Sequence, residues 1–247
     1  RLPDTDSRFV NVSDVDEGIG VLSSLLLKKA TYKSMVGGDG ACMGCGEKTA
    51  VHLIVSAIFA SMQPRVQRHV AHLADLITGL DDEARTLLAS GADLDAAAKG
   101  GDAVVVPIDP AKRERLALIN RTTAELRELK WRHESGPSGA GRAPLGMANS
   151  TGCSSVWGST YPYNPYPFPW VNHLFQDAPS VAIVLFEAHM RKMADNFAVI
   201  RRAELLRNGS YDAGNHEPTL ASLTWAEFTD DEFALCPPIV AMGGDGA

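Results

Sequence analysis

Residues 145–158 read LGMANSTGCSSVWG, a short apolar run that passes directly into a series of small residues. The run at 145–149 has the length and composition of a buried strand. The Ser, Thr and Gly residues that follow favour a loop. We therefore expect a strand that delivers Cys153 in a loop at its carboxyl end.

A second strand is predicted near the end of the sequence. Residues 237–242 (PPIVAM) form an apolar run that ends in the glycine turn GGDG at 243–246. Apolar spacing predicts a long helix over 179–207 and a helix buried on most sides over 47–62. Strands that alternate with helices and end in glycine turns are typical of an α/β fold with a parallel sheet flanked by helices. Ligands of such folds bind at the carboxyl edge of the strands.

Residues 64–144 differ from the sequence on either side of them. They are richer in charge, and their apolar residues recur at helical spacing. Asp109 followed by Pro110 is a typical helix start. We expect a helical insertion over about 64–144 within a domain spanning 36–247, with residues 1–35 as a connector from a preceding domain.

The composition narrows the range of functions. Of the 247 residues, 45% are hydrophobic and 21% are charged, as in a globular protein. Lys and Arg total 23 against 30 Asp and Glu, a net charge of -7. The sequence therefore has no excess of basic residues that would bind the phosphate backbone of a nucleic acid. The longest apolar stretch, 181–186, is far shorter than the roughly 20 residues of a bilayer span. We expect a soluble, cytoplasmic protein without nucleic-acid or membrane partners.

Four cysteines, Cys42, Cys45, Cys153 and Cys236, are too few and too unevenly spaced for a disulfide framework. Cys42 and Cys45 form a glycine-flanked Cys-x-x-Cys motif that suits a metal ion or cluster. A thioredoxin-like redox pair, half a zinc site and coincidence are the alternatives. Cys153 is a candidate third sulfur ligand, and Cys236, just before a strand, is expected to be a buried structural thiol.

Two acidic residues are further candidates. Asp245 lies between Gly244 and Gly246 at a predicted strand end, where the glycines would admit a diphosphate and the carboxylate would bind magnesium. The tripeptide is also a common turn, and its upstream copy at 38–40 is interpreted as a turn only. Glu47 is either a capping carboxylate that the helix dipole stabilises or a residue that contacts a ligand. The seven histidines have no spacing that pairs with the cysteines, and we interpret them as surface or packing residues.

Taken together, three ordered motifs resemble the thiamine-diphosphate domain of the pyruvate:ferredoxin (flavodoxin) oxidoreductases, within the 2-oxoacid:ferredoxin oxidoreductase family. The motifs are GACMGCGE at 40–47, NSTGCSSVWG at 149–158 and GGDG at 243–246. The resemblance extends through WVNHLFQD at 170–177 and covers about residues 36–63 and 145–247. Residues 64–144 have no counterpart in compact members of that family.

The resemblance implies a set of site residues. Cys42, Cys45 and Cys153 would ligate a 4Fe-4S cluster, and Asp245 would bind Mg²⁺. Contacts to thiamine diphosphate are implied for Glu47, Cys153, Gly244, Asp245, Gly246 and Ala247. The family's fourth cluster thiolate, the Asn that completes its magnesium motif and the carboxylate that activates the cofactor lie outside this sequence, so we expect a segment of a longer polypeptide with no catalytic residue of its own.

The resemblance also implies an activity and partners. The enzyme would decarboxylate a 2-oxoacid, with pyruvate as the expected substrate, transfer the acyl group to coenzyme A and pass electrons to ferredoxin or flavodoxin. Its partners would be the remaining domains of the parent enzyme and a second copy in a homodimer. The alternative hypotheses are a non-catalytic zinc or thiol-redox module and an inactive structural fragment.

Overall fold

The computed structural model is a mixed α/β structure with a small parallel sheet. It describes residues 6, 28–29, 31–32, 43–89, 109–139, 141–150, 152–159, 163–164, 166, 168–172 and 178–243. The helices are α1 (Gly46–Ala89), α2 (Pro110–Glu134), α3 (Cys153–Gly158), α4 (Ala178–Arg207), α5 (Ala213–Ala221) and α6 (Asp230–Leu235), with a 3-10 turn at Trp225–Glu227. The strands are β1 (Gly146–Asn149), β2 (Trp170–Asn172) and β3 (Ile239–Met242).

Several sequence predictions are confirmed. Strands β1 and β3 lie within the two predicted apolar runs, and α4 covers the predicted long helix. Asp109 is the N-cap of α2, with its carboxylate accepting a hydrogen bond from Ala111 N, and Pro110 is the first helical residue. The predicted parallel sheet is present, and β2 was not predicted.

The helix predicted over 47–62 is longer than expected, because α1 continues through Pro64 to Ala89. Proline removes one backbone donor and crowds the preceding turn, which disfavours it inside a helix. Buried apolar side chains on both sides of it, Met62 and Leu73, show that the helix is held by packing along its length.

The chain divides into two compact units, which we call the sheet unit and the helical unit. The sheet unit takes Arg1–Gln63, Ala143–Glu187 and Pro237–Ala247. The helical unit takes Pro64–Arg142 and Ala188–Cys236. Residues 64–142 thus share a unit with 188–236, and the expectation that 64–144 is an insertion stays a prediction.

The sheet unit is built around β1. The strand order is β2-β1-β3, and both neighbours run parallel to β1. All four residues of β1 are buried, as is typical of a central parallel strand covered on both faces. Its core joins Val51 and Val55 of α1 to Met147, Trp157 and Phe168.

The helical unit is held by apolar packing and by ion pairs between its helices. The fully buried side chains include Leu73, Leu76 and Leu80 of α1, Ile119 and Leu126 of α2, and Met193 and Phe197 of α4. Arg201 of α4 forms a two-pronged ion pair with Glu232 of α6, at 2.8 and 2.5 Å. No helix in the described part of the chain is both long and apolar enough to cross a bilayer.

Candidate functional site

The carboxyl ends of β1 and β3 lie side by side. Asn149 pairs with Met242 in the parallel register, and the backbone N–H of Ser150 donates to the carbonyl oxygen of Met242 at 2.8 Å. The segment leading to Cys153 and the segment leading to Gly243 therefore leave the sheet at the same edge. This is the edge at which parallel sheets bind ligands.

Cys153 is the first residue of α3 and does not lie in a loop, which corrects the sequence expectation. Ser154 and Trp157, three residues apart, lie on one face of this helix and are buried. Cys153 itself is exposed and its thiol is free. The residue is thus accessible at the carboxyl edge of the sheet.

A buried hydrogen-bond network holds the turn between β1 and α3. The side chain of Asn149 is fully buried; its amide nitrogen donates to Asn172 Oδ1 at 2.9 Å, and its Oδ1 accepts from Ser154 Oγ at 2.8 Å. Ser155 Oγ donates to the carbonyl oxygen of Ser150 at 3.1 Å, and Ser150 Oγ accepts from Ala178 N at 3.2 Å. Buried polar groups with partners in several elements fix one geometry, so the turn that presents Cys153 is rigid.

Cys45 directly precedes α1. Its free thiol is half-buried, and Gly44 before it has a φ of 71°, a left-handed conformation that a glycine adopts without strain. Glu47 lies in the first turn of α1, where the helix dipole stabilises a carboxylate. The Cys-x-x-Cys segment therefore ends at a helix that packs on the sheet through Val51 and Val55.

Lys48 is the unexpected member of this region. Its side chain is 1% exposed, and its ammonium nitrogen has no hydrogen-bond partner among the described residues. The ammonium lies 5.4 Å from the centre of the Tyr163 ring, a cation–π distance. Lys48 precedes Val51 by three residues, which places it on the helix face that packs on the sheet. A buried cation without an acceptor is costly unless an anion binds there.

Five of the predicted site residues, Cys42, Gly244, Asp245, Gly246 and Ala247, lie outside the described residues. Within the described part of the chain, no group of three or more His, Cys, Asp or Glu side chains is close enough together to hold a metal ion. The structure thus describes Cys45, Glu47 and Cys153 of the predicted set. The predicted contacts of these three residues to a cluster and a cofactor stay predictions.

Cys236 is buried, as predicted. Its thiol contacts the carbonyl oxygen of Glu232 at 3.5 Å, and burial raises its pKa to about 11, against a smaller opposing effect of Arg142. A thiol with a raised pKa is a poor metal ligand and nucleophile at neutral pH. Cys236 therefore serves as a matched control for the other cysteines.

Sequence reasoning missed Asn149, Ser154 and Lys48. A polar Asn at the end of a fully apolar strand is a usable signal for a buried network, because an unpaired amide would be costly there. Nothing in the local sequence distinguishes Lys48 from an exposed helix lysine.

The chain matches no protein-family model, no curated protein and no solved structure.

Proposed function

We propose that this chain is the thiamine-diphosphate-binding part of a 2-oxoacid:ferredoxin or flavodoxin oxidoreductase, with the thiamine-diphosphate-binding fold of that family. The observation that supports the proposal most directly is that β1 and β3 are neighbouring strands, joined at their carboxyl ends by the hydrogen bond from Ser150 N to the carbonyl oxygen of Met242. Because β1 and β3 end side by side, the segment that leads to Cys153 and the segment that leads to the Gly-Asp-Gly motif begin at the same edge of the sheet. Both segments carry motifs of the family.

The described residues fit the two groups that this function needs. Iron–sulfur clusters bind thiolates, and Cys45 and Cys153 are free and at least partly accessible. The diphosphate is anionic, as is a 4Fe-4S cluster counted with its thiolate ligands, and the buried ammonium of Lys48 has no other acceptor among the described residues. Lys48 lies three residues after Cys45, so the start of α1 and the residue before it supply a cation and a sulfur ligand.

In this proposal the chain's residues have separate roles. Cys42, Cys45 and Cys153 hold the 4Fe-4S cluster, Asp245 holds Mg²⁺, and Gly244, Gly246 and Ala247 let the backbone approach the diphosphate. Bound thiamine diphosphate supplies the carbon nucleophile for the 2-oxoacid and the electron sink for decarboxylation. Glu47 would contact the cofactor, and the Asn149 network would keep Cys153 in a fixed position.

The reaction requires partners beyond this chain. Coenzyme A would accept the acyl group, and ferredoxin or flavodoxin would accept the electrons. The remaining domains of the enzyme and a second protomer complete the assembly, which we place in the cytoplasm. The alternative of a zinc or thiol-redox module predicts a colourless protein, whereas a 4Fe-4S protein is brown.

The test uses the two aspartates of the two Gly-Asp-Gly tripeptides in the sequence. Asp245→Ala removes the proposed magnesium ligand, and Asp39→Ala changes the Gly-Asp-Gly copy at 38–40, which is interpreted as a turn. Binding of thiamine diphosphate with Mg²⁺ to the full-length protein is measured by calorimetry, together with pyruvate-dependent reduction of a viologen dye under anaerobic conditions.

We expect Asp245→Ala to weaken cofactor binding at least tenfold and to abolish dye reduction, and Asp39→Ala to leave both unchanged. The proposal is wrong if the unmodified protein binds no thiamine diphosphate. Equal effects of the two substitutions would remove Asp245 from the site.

A further inference from the structure

The helical unit contains a cavity of about 490 Å³ that the proposed function does not use. We call it the basic pocket. It lies against the last turn of α2, the segment at 141–142 and the middle of α4, and its charged and imidazole lining residues are Arg132, His133, Arg142, His189, Lys192 and Asp195. A cavity of this size accommodates a small organic ligand.

Arg142 is the central cation of the basic pocket. Its Nη2 donates to His189 Nε2 at 2.8 Å, which leaves that histidine neutral. Its Nη1 is buried and has no hydrogen-bond partner among the described residues. Burial lowers the pKa of Arg142 only to about 10, so the guanidinium is charged at neutral pH. A buried guanidinium normally has a carboxylate partner, and the described residues give it none.

His133 also lines the basic pocket and has an unpartnered buried atom of its own. Its Nδ1 is buried without a hydrogen-bond partner in the described part of the chain. Gly141, with a φ of 76°, brings Arg142 close to the end of α2: a Cβ at this position would lie 2.3 Å from the carbonyl oxygen of His133. The backbone is therefore shaped to place Arg142 beside His133.

The side chains that line the basic pocket include more positive than negative groups. Lys192, on the exposed side, lies near enough to His189 to lower the pKa of that imidazole, after the larger effects of burial and of Arg142. Arg132 is paired with Glu128 at 2.9 Å. Asp195 is the one acidic side chain among the described lining residues, so Arg142 and Lys192 leave a net positive site.

We propose that the basic pocket binds the phosphate group of a small molecule. The guanidinium of Arg142 donates to its oxygens, and Lys192 balances its charge at the mouth. At neutral pH a phosphate carries more negative charge than a carboxylate, which favours it at a site with a net positive charge. A tetrahedral phosphate accepts single hydrogen bonds from several directions and suits donors that come from different elements.

The test measures binding of inorganic phosphate by calorimetry and by the rise in melting temperature, with chloride keeping the ionic strength constant and acetate as the carboxylate probe. The variants are Arg142→Gln and Lys192→Gln. Arg113→Gln, an exposed arginine of α2, is the matched control. Lys192 is exposed on α4, so its variant folds even where Arg142→Gln does not.

We expect phosphate to bind the unmodified protein and Arg113→Gln equally, at least tenfold more weakly to Arg142→Gln, and several-fold more weakly to Lys192→Gln. Acetate should bind at least tenfold more weakly than phosphate. The proposal is overturned if the unmodified protein does not bind phosphate, if acetate binds as tightly, or if the folded variants retain full affinity. A loss of stability in Arg142→Gln with unchanged phosphate affinity would make Arg142 a structural residue and would equally overturn it.

Discussion

The sheet unit and the helical unit place their polar side chains in different ways. Around β1, the uncharged side chains of Asn149 and Ser154 are fully buried and hydrogen-bonded to each other. In the helical unit, charged pairs such as Arg202 with Glu217 keep contact with solvent. Neutral groups are cheaper to desolvate than ions, so a network of amides and hydroxyls can lie in a core where an ion pair would be costly.

Each unit also contains a cation that breaks its own pattern. Lys48 in the sheet unit and Arg142 in the helical unit both have a buried nitrogen without a hydrogen-bond partner in the described residues. Buried charges without partners reduce stability, so their presence points to ligands. The comparison thus separates side chains that stabilise the fold from two cations for which we propose a ligand.

The largest effect on stability is expected from the Asn149 network. Asn149→Ala removes the hydrogen bonds of Asn149 to Ser154, Ser155 and Asn172, each worth about 1 kcal/mol, and leaves the buried hydroxyl of Ser154 without its acceptor. We expect the free energy of unfolding, measured with urea, to fall by about 3 kcal/mol. The control Asn208→Ala, at an exposed asparagine, should cost about 0.5 kcal/mol or less. Similar losses in the two variants would show that the network does not stabilise the turn.

The second effect has the opposite sign. Lys48→Met replaces a buried ammonium by an apolar chain of similar volume, and we expect the free energy of unfolding without ligand to rise by about 2 kcal/mol. The same variant should bind thiamine diphosphate more weakly. Lys28→Met, at an exposed lysine, is the control and should change neither quantity. A loss of stability in Lys48→Met would mean that Lys48 has a structural partner.

These two sites also show what the sequence can and cannot predict. Strands β1 and β3, helix α4 and the Asp109 cap follow from local patterns, because their periodicity and capping residues are contiguous in the sequence. Strand β2 has three residues, too few for any alternation to be visible. The buried ammonium of Lys48 lies over the ring of Tyr163, a residue more than a hundred positions away in the sequence, so no local pattern predicts this contact.

A smaller effect is expected from the pH dependence of the helical unit. The hydrogen bond from Arg202 lowers the pKa of Glu217 from 4.5 to about 2, against an opposing effect of burial. Since the folded-state pKa is depressed, the stabilisation is complete above about pH 4.5 and is lost as the pH falls toward 2. Glu217→Gln should therefore lose less unfolding free energy than the unmodified chain when the pH falls from about 6 to about 3.

The control for that measurement is Glu114→Gln, at an exposed glutamate of α2. Its loss of unfolding free energy over the same pH interval should equal that of the unmodified chain. An identical pH dependence in Glu217→Gln and Glu114→Gln would show that the Arg202–Glu217 pair does not contribute to acid stability.

The smallest effect is expected at the most exposed ion pair. Arg85 and Asp82 of α1 lie 2.8 Å apart, with side chains 76% and 62% exposed. Solvent screens such a pair, so Arg85→Ala should change the free energy of unfolding by about 0.5 kcal/mol or less in urea denaturation. A change above about 1 kcal/mol would place this surface pair on a par with the buried groups and contradict the comparison.

We propose above all that the carboxyl edge of the sheet holds an iron–sulfur cluster and a thiamine-diphosphate site. The most direct measurement is the visible absorbance of the full-length protein after anaerobic reconstitution with iron and sulfide, comparing Cys153→Ser with Cys236→Ser. The account predicts that the brown absorbance is lost in Cys153→Ser, because a hydroxyl is a poor ligand for iron, and is retained in Cys236→Ser. Retention in Cys153→Ser together with loss in Cys236→Ser would contradict it.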